Sequence, residues 1–200
     1  MKKFLKLFLL GMICFVLSQL CLRLPLLKLL NNNLWIYSFQ SLYPLIYGFL
    51  LTLSAGLFEE GGRFIFRDKI LKENNSKSDA IIFGLGHGLI EVIFVIILSF
   101  NNLNLLTSSD IFLGLYERLL AVIFHIGMTV LIWLGFNRMK KYRYLILAIF
   151  LHGFFDYFII LKNIFEFSNL ILYGSWTFIC VIILIFIFKI NFGGNRNEKI

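Results

Sequence analysis

Six stretches of the chain are long, apolar and nearly free of charge inside: roughly Phe4–Leu24, Leu34–Phe58, Ala80–Phe100, Ile111–Phe136, Tyr144–Leu161 and Asn169–Phe188. About 20 residues of helix cross the roughly 30 Å hydrocarbon core of a bilayer, so each stretch predicts one span. The pattern predicts an all-α fold, a polytopic transmembrane helix bundle of about six spans, as a single integral-membrane domain over residues 1–200. Pro25 and Asn31-Asn32-Asn33 interrupt the chain after the first span, and Pro44 predicts a kink in the second. The start, Met1-Lys2-Lys3 before an apolar run, is like that of a signal peptide. No small-residue cleavage site follows, and the run leads into Arg23 and Pro25, so it reads as a retained first span.

Composition agrees with this class. A mean hydropathy of +0.86, with 60% hydrophobic and 15% charged residues, exceeds what a soluble core needs. A formal charge of +8 could suggest nucleic acid, but the basic residues fall in connections and at the ends. Arg63, Arg67, Lys69, Lys72 and Lys77 follow the second span, and Arg138, Lys140, Lys141 and Arg143 follow the fourth. The connection Asn101–Asp110 has no Lys or Arg, and the one after the fifth span has Lys162 alone. This asymmetry predicts a multi-pass protein of the cell membrane with both termini cytoplasmic, with membrane lipid as the charge partner and no nucleic acid. Cys14, Cys21 and Cys180 lack Cys-x-x-Cys spacing and read as core thiols.

The polar residues within the spans carry the chemistry. His87, His125 and His152, all the histidines of the chain, lie in apolar stretches, and Glu59, Glu60, Glu91, Glu117 and Asp156 lie in the same stretches or at their ends. Hydrocarbon penalises each such group by a few kcal/mol or more, which predicts a shared buried site. At 1.5 Å per residue from the cytoplasmic boundaries, His87, His152 and His125 fall roughly 10, 12 and 17 Å deep, with Glu59 and Glu60 entering from the cytoplasmic end of the second helix.

Adjacent glutamates on a helix diverge by about 100°, so of Glu59 and Glu60 one can face a pocket while the other pairs with Arg63. His87 and Glu91 are four apart, an arrangement in which the carboxylate holds one imidazole nitrogen and leaves the other for a metal or water. Gly84, Gly86 and Gly88 thin this helix, which suits close helix packing and also an extended peptide lying against the backbone. Glu117 and Arg118 precede His125 by two turns and read first as a structural pair. His152 and Asp156 repeat the four-residue spacing.

Glu59-Glu60-x-x-Arg63, Gly-x-Gly-His87-Gly-x-x-Glu91, Glu117-Arg118 leading to His125, and His152-x-x-x-Asp156, in this order over about residues 55–161, resemble the YhfC family of intramembrane metalloproteases, within the wider superfamily of CAAX-type membrane proteases. The wider superfamily usually has three residues between the second Glu and the Arg, whereas this chain has two. The resemblance implies a helical membrane fold in which glutamate and histidines activate water for peptide-bond cleavage. Catalytic candidates are Glu59, Glu60, His87 and His152, with Glu59 as general base. His87, His125, His152 and Glu59 are candidate ligands of a divalent metal, zinc first, that would polarise the carbonyl. In a metal-free variant Glu59 and His87 activate water and His152 with Asp156 forms the oxyanion side. Arg63, Glu91, Glu117, Arg118 and Asp156 are supporting residues, and the substrate is a peptide or membrane protein. Two alternatives remain, a proton- or ion-coupled transporter and a catalytically inactive scaffold of the same fold.

Overall fold

A computed structural model of the chain describes residues 2–99 and 107–192. Phe100, residues 101–106 of the connection after it, and the C-terminal residues 193–200 lie outside the described residues. The regular elements are helices, with no strand among the described residues: α1 (Lys2–Phe15), a π-helical stretch (Val16–Arg23), α2 (Leu24–Asn31), α3 (Leu34–Leu42), α4 (Pro44–Ile65) with a π-helical turn (Phe66–Ile70), α5 (Lys77–Ser99), α6 (Ser108–Asn137), α7 (Lys141–Phe165) and α8 (Asn169–Lys189). Five helices are long and apolar enough to cross a membrane, and the bent pair Leu34–Leu42 and Pro44–Ile70 makes up to six. The protein is a multi-pass, all-α membrane protein.

Three predicted boundaries move, each for a physical reason. The first helix does not stop at Leu24 but runs from Lys2 to Asn31. Pro25 cannot donate to the turn before it, and the π-helical stretch ahead of it absorbs the misfit by pairing Leu24 N–H with the Gln19 carbonyl. The second span is not one kinked helix: α3 and α4 meet at 116°, with Pro44 starting α4. No residue of α3 is buried in the protein, and Trp35 and Tyr37 are exposed, an aromatic composition suited to a membrane interface. The third change matters most for function. Helix α4 and its π turn continue past Phe58 to Ile70, because Glu59, Glu60, Arg63 and Arg67 are buried and paired inside the protein instead of marking a wetted helix end. Arg63 and Arg67 therefore leave the list of basic loop residues.

Helix α1 packs on α5, α4 on α7, and α6 on α5, α7 and α8. Three of these contacts are glycine-mediated backbone approaches. A Cβ on Gly56 would lie 2.4 Å from the Ile149 carbonyl oxygen and one on Gly153 would lie 2.9 Å from Leu53 Cα, bringing α4 and α7 together. Gly86 is set in the same way against Phe8 of α1, while Gly84 and Gly88 face Ile126, Thr129 and Val122 of α6. The glycines of α5 are thus filled by neighbouring helices on both sides. This overturns the expectation that they leave the backbone open to an extended peptide. Of the cysteines, Cys14 and Cys180 are buried, but Cys21 is exposed and is no core thiol.

Candidate active site

With the helix ends as they stand, Glu59, His87, His125 and His152 each lie about 15–18 Å from the end of their helix at the basic loops, at 1.5 Å per residue. That is near mid-depth in a 30 Å core, deeper than the shorter predicted spans implied. All of them, with Glu60 and Arg63, are buried.

The two glutamates divide as their angular separation suggests. Glu60 pairs with Nη1 of Arg63 and with His152 Nδ1 at 2.7 Å. Glu59 turns Oε2 to His87 Nε2 at 3.0 Å, and the same oxygen lies 3.7 Å from Arg63 Nη2, 3.9 Å from His125 Nδ1 and 4.0 Å from His152 Nε2. Four helices deliver these groups, and the imidazole centroids of His87 and His152 stand 5.3 and 5.4 Å from that of His125. Arg63 neutralises the buried carboxylates, without which two adjacent charges would face a large desolvation penalty.

Each ring has its own orienting partner, and one differs from the sequence reading. Arg63 Nη2 donates to His125 Nδ1 at 2.7 Å. Arginine has no acceptor, so Nδ1 carries the lone pair, and Nε2 lies in close contact with Glu91. Glu91 therefore serves His125 and not its own helix neighbour His87. The reason is reach: Glu91 lies one turn beyond His87, level with the part of α6 where Nε2 of His125 and Nη1 of Arg118, at 3.3 Å, both present hydrogens. His87 is held by Glu59 and by the edge of Phe15, 5.3 Å between centroids, and its Nδ1 has no protein partner among the described residues. Asp156 stands 3.6 Å from His152 Nε2, a looser contact than the Glu60 bond on Nδ1.

Arg118 bridges Glu91 and Glu117. Glu91→Gln is therefore expected to destabilise the protein by about 2 kcal/mol, since it weakens hydrogen bonds from two charged or polar donors at once. Glu117→Gln leaves Arg118 on Glu91 and is expected to change stability by less than about 1 kcal/mol, as for other partly exposed ion pairs. Thermal melting of the two purified variants checks the ranking.

A cavity of about 90 Å³ opens beside Glu59, His125 and His152. Its further lining, including Glu91, Glu117 and Asp156, belongs to the helix segments leading away from the basic loops, so the cavity lies on the opposite side of the histidines. One wall is aromatic: Phe124 stacks on Phe155 at 4.1 Å and Phe155 on Trp176 at 5.1 Å. On the basic-loop side, Phe66, Phe83 and Trp133 fill the bundle.

Sequence reasoning missed Gln19, which lines this cavity, and Arg23, which holds it. Arg23, buried on the first helix, donates to Ser54 Oγ at 3.0 Å, to the Leu51 carbonyl at 2.9 Å and to Gln19 Oε1 at 3.2 Å. Gln19 lines the cavity, and with its carbonyl accepting from Arg23 its amide hydrogens are left to offer there. The available signal was the i,i+4 spacing of Gln19 and Arg23 inside an apolar run.

Glu59, His87 and His125 each offer one donor atom, all within 4.8 Å of one another. One carboxylate and two imidazoles are the donor types that suit a divalent ion such as zinc, and three protein ligands leave a position open. His152 is outside this triangle: its Nδ1 is taken by Glu60, and its Nε2 is set back from Glu59.

A family model described as YhfC intramembrane metalloprotease matches residues 2–110 and 100–185. The chain is 27% identical over 146 residues to the uncharacterized membrane protein YhfC of Bacillus subtilis (strain 168), a match covering 57% of this chain and 56% of that protein. The chain thus aligns with little more than half of that relative's length. No solved structure matches. With the family model matching along most of a chain that buries the glutamate pair, the arginine and the histidines in one cluster, the protein belongs to the YhfC family.

Proposed function

We propose that the protein is an intramembrane endopeptidase that cleaves membrane-embedded or membrane-proximal peptides, with Glu59 as its general base. The observation that carries this reading is a single carboxylate oxygen, Glu59 Oε2, lying within 4.0 Å of histidines from three other helices at the inner wall of a polar cavity. The family's description as an intramembrane metalloprotease supports it. Glu59, His87 and His125 would hold a divalent ion, zinc by the chemistry of the donor set, and such an ion supplies Lewis acidity when bound.

In hydrolysis, Glu59 takes a proton from water as the water oxygen bonds to the carbonyl carbon. His152, anchored through Nδ1 on Glu60 and with Nε2 4.0 Å from Glu59 Oε2, passes that proton from Glu59 to the amide nitrogen as the C–N bond breaks, which returns both side chains to their starting states. The amide hydrogens of Gln19 are placed to receive a substrate carbonyl. If the basic loops face the cytoplasm, as the Lys and Arg asymmetry predicts, substrate reaches Glu59 from the outer half of the membrane.

A second reading has its own observation. The lone pair of His125 Nδ1 that a metal would use already accepts from Arg63. In that metal-free reading Glu59 and His87 activate water, and His152 with Asp156 forms the oxyanion side. Elemental analysis of the purified protein separates the two. About one equivalent of divalent metal in the wild type, falling at least about tenfold in His87→Ala, is the expected result. Active protein without metal would assign the metal-free chemistry. Protein with neither metal nor cleavage would leave the scaffold alternative.

A further inference from the structure

Outside the glutamate and histidine cluster, a second cleft of about 360 Å³ opens at the other end of the bundle, between the connection after α4 and the end of α6. Arg67, Lys69 and Lys72 line it, with Asp68, Asn75, Phe136 and Asn137. Arg67 is 4% exposed, and its guanidinium lies over Phe136 at 4.9 Å and Trp133 at 5.7 Å. Its Nη1 donates to the carbonyls of Leu71 and Lys72, its Nη2 to Asn75 Oδ1, and its Nε has no protein partner among the described residues.

The lining differs from an ordinary loop surface in which hydrogen-bonding atoms it leaves unclaimed. The one carboxylate, Asp68, is committed on both oxygens, to Lys141 at 2.7 Å and Lys69 at 3.2 Å. The Asn75 side-chain carbonyl accepts from Arg67, and its amide hydrogens are left to give. Asn137 donates to the Asn75 backbone carbonyl and holds the loop in place. What the cleft offers is a set of donors, the Asn75 amide and the ammonium of Lys72, with Lys69 able to turn from Asp68, while Arg67 Nε lies buried beside them without a protein partner among the described residues. A cationic cleft in which the unpartnered side-chain atoms are donors selects an anion with several acceptor oxygens.

We propose that this cleft binds a phosphate-bearing anion, and at this end of a membrane-spanning bundle the matching source is the headgroup of an anionic phospholipid. The aromatic rings under Arg67 hold its charge at the membrane boundary, where headgroup phosphates lie. This inference is independent of the peptidase reading, because no residue of the cleft touches Glu59 or the histidines.

The test titrates full-length protein in zwitterionic detergent with dihexanoyl phosphatidylglycerol, dihexanoyl phosphatidylcholine and inorganic phosphate, reading the melting temperature. Phosphatidylglycerol is expected to stabilise the protein saturably and phosphatidylcholine not to. Lys69→Gln with Lys72→Gln, both exposed and outside any buried network, is expected to weaken the apparent affinity about thirtyfold, at about a factor of five per lysine near an anionic headgroup. Arg138→Gln with Lys140→Gln removes as much charge from the neighbouring loop and is expected to weaken it less than about threefold, because neither residue lines the cleft. Weaker stabilisation by inorganic phosphate assigns the lipid source, and equal stabilisation assigns free phosphate. Equal losses in the two double variants, no loss in the first, or equal stabilisation by phosphatidylcholine would overturn the site.

Discussion

Glu59→Gln is expected to lower peptide cleavage by about 10²–10⁴-fold, the range for removing a positioned general base, while the protein stays folded and membrane-inserted. Glutamine keeps the shape of glutamate and can still accept from His87 Nε2, so the helix contacts survive. The buried charge balance survives too, because Arg63 retains its direct partner Glu60. Glu60→Gln is the contrasting variant. It removes the Arg63 partner and the anchor of His152 Nδ1 together, and losing a buried ion-pair partner typically destabilises by about 3–5 kcal/mol. The pair of variants separates base from brace. Terminal-peptide mass spectrometry of membranes from cells expressing wild type or Glu59→Gln reads the difference without a known substrate. Fragments produced equally by both would move the base to Asp156, Glu91 or Glu117, the other carboxylates that line the same cavity.

The contrast between these two glutamates also measures how far the sequence could be read. Their divergence around a helix was legible from spacing alone, as was the convergence of the histidines, since polar groups in hydrocarbon must find one another. What spacing could not supply was the partner across helices. Glu91 is four residues from His87, and local geometry pairs them, but tertiary packing places it against His125 and Arg118. The end of the second span was misplaced for a related reason. A charged pair such as Glu60 and Arg63 looks like a solvated terminus in sequence, and becomes span interior only when both partners are buried together. The same holds for Arg23 and Gln19, whose joint role depends on Ser54 and Leu51 of another helix. The break at Pro44 was visible as a kink, but its 116° angle sets α3 at the edge of the bundle with no buried residue, which no local rule specifies.

Gly86→Ala is expected to destabilise the protein by about 1–3 kcal/mol or more, the range for overpacking a well-filled interior, against the intrinsic preference of a helix for alanine. In an open helix position the same change stabilises, by about 0.5–1 kcal/mol, because glycine loses more backbone freedom on folding. At Gly86 the added Cβ would lie 2.1 Å from the Phe8 carbonyl oxygen and 2.9 Å from its carbon. Across the same interface a Cβ on Gly11 would lie 2.1 Å from the Phe83 carbonyl oxygen. The obstacles are backbone atoms on both sides, so no rotamer change relieves them and α1 must move away from α5. That movement reaches the proposed chemistry directly, since His87 is the next residue and Phe15 of α1 packs edge-on against its ring. Gly174→Ala is the matched control, as nothing lies within 4 Å of its Cβ position on α8. Melting temperatures of the two variants should therefore move in opposite directions. If both rose, α1 and α5 could not be in backbone contact, and the placement of His87 against Glu59 would lose its main mechanical support.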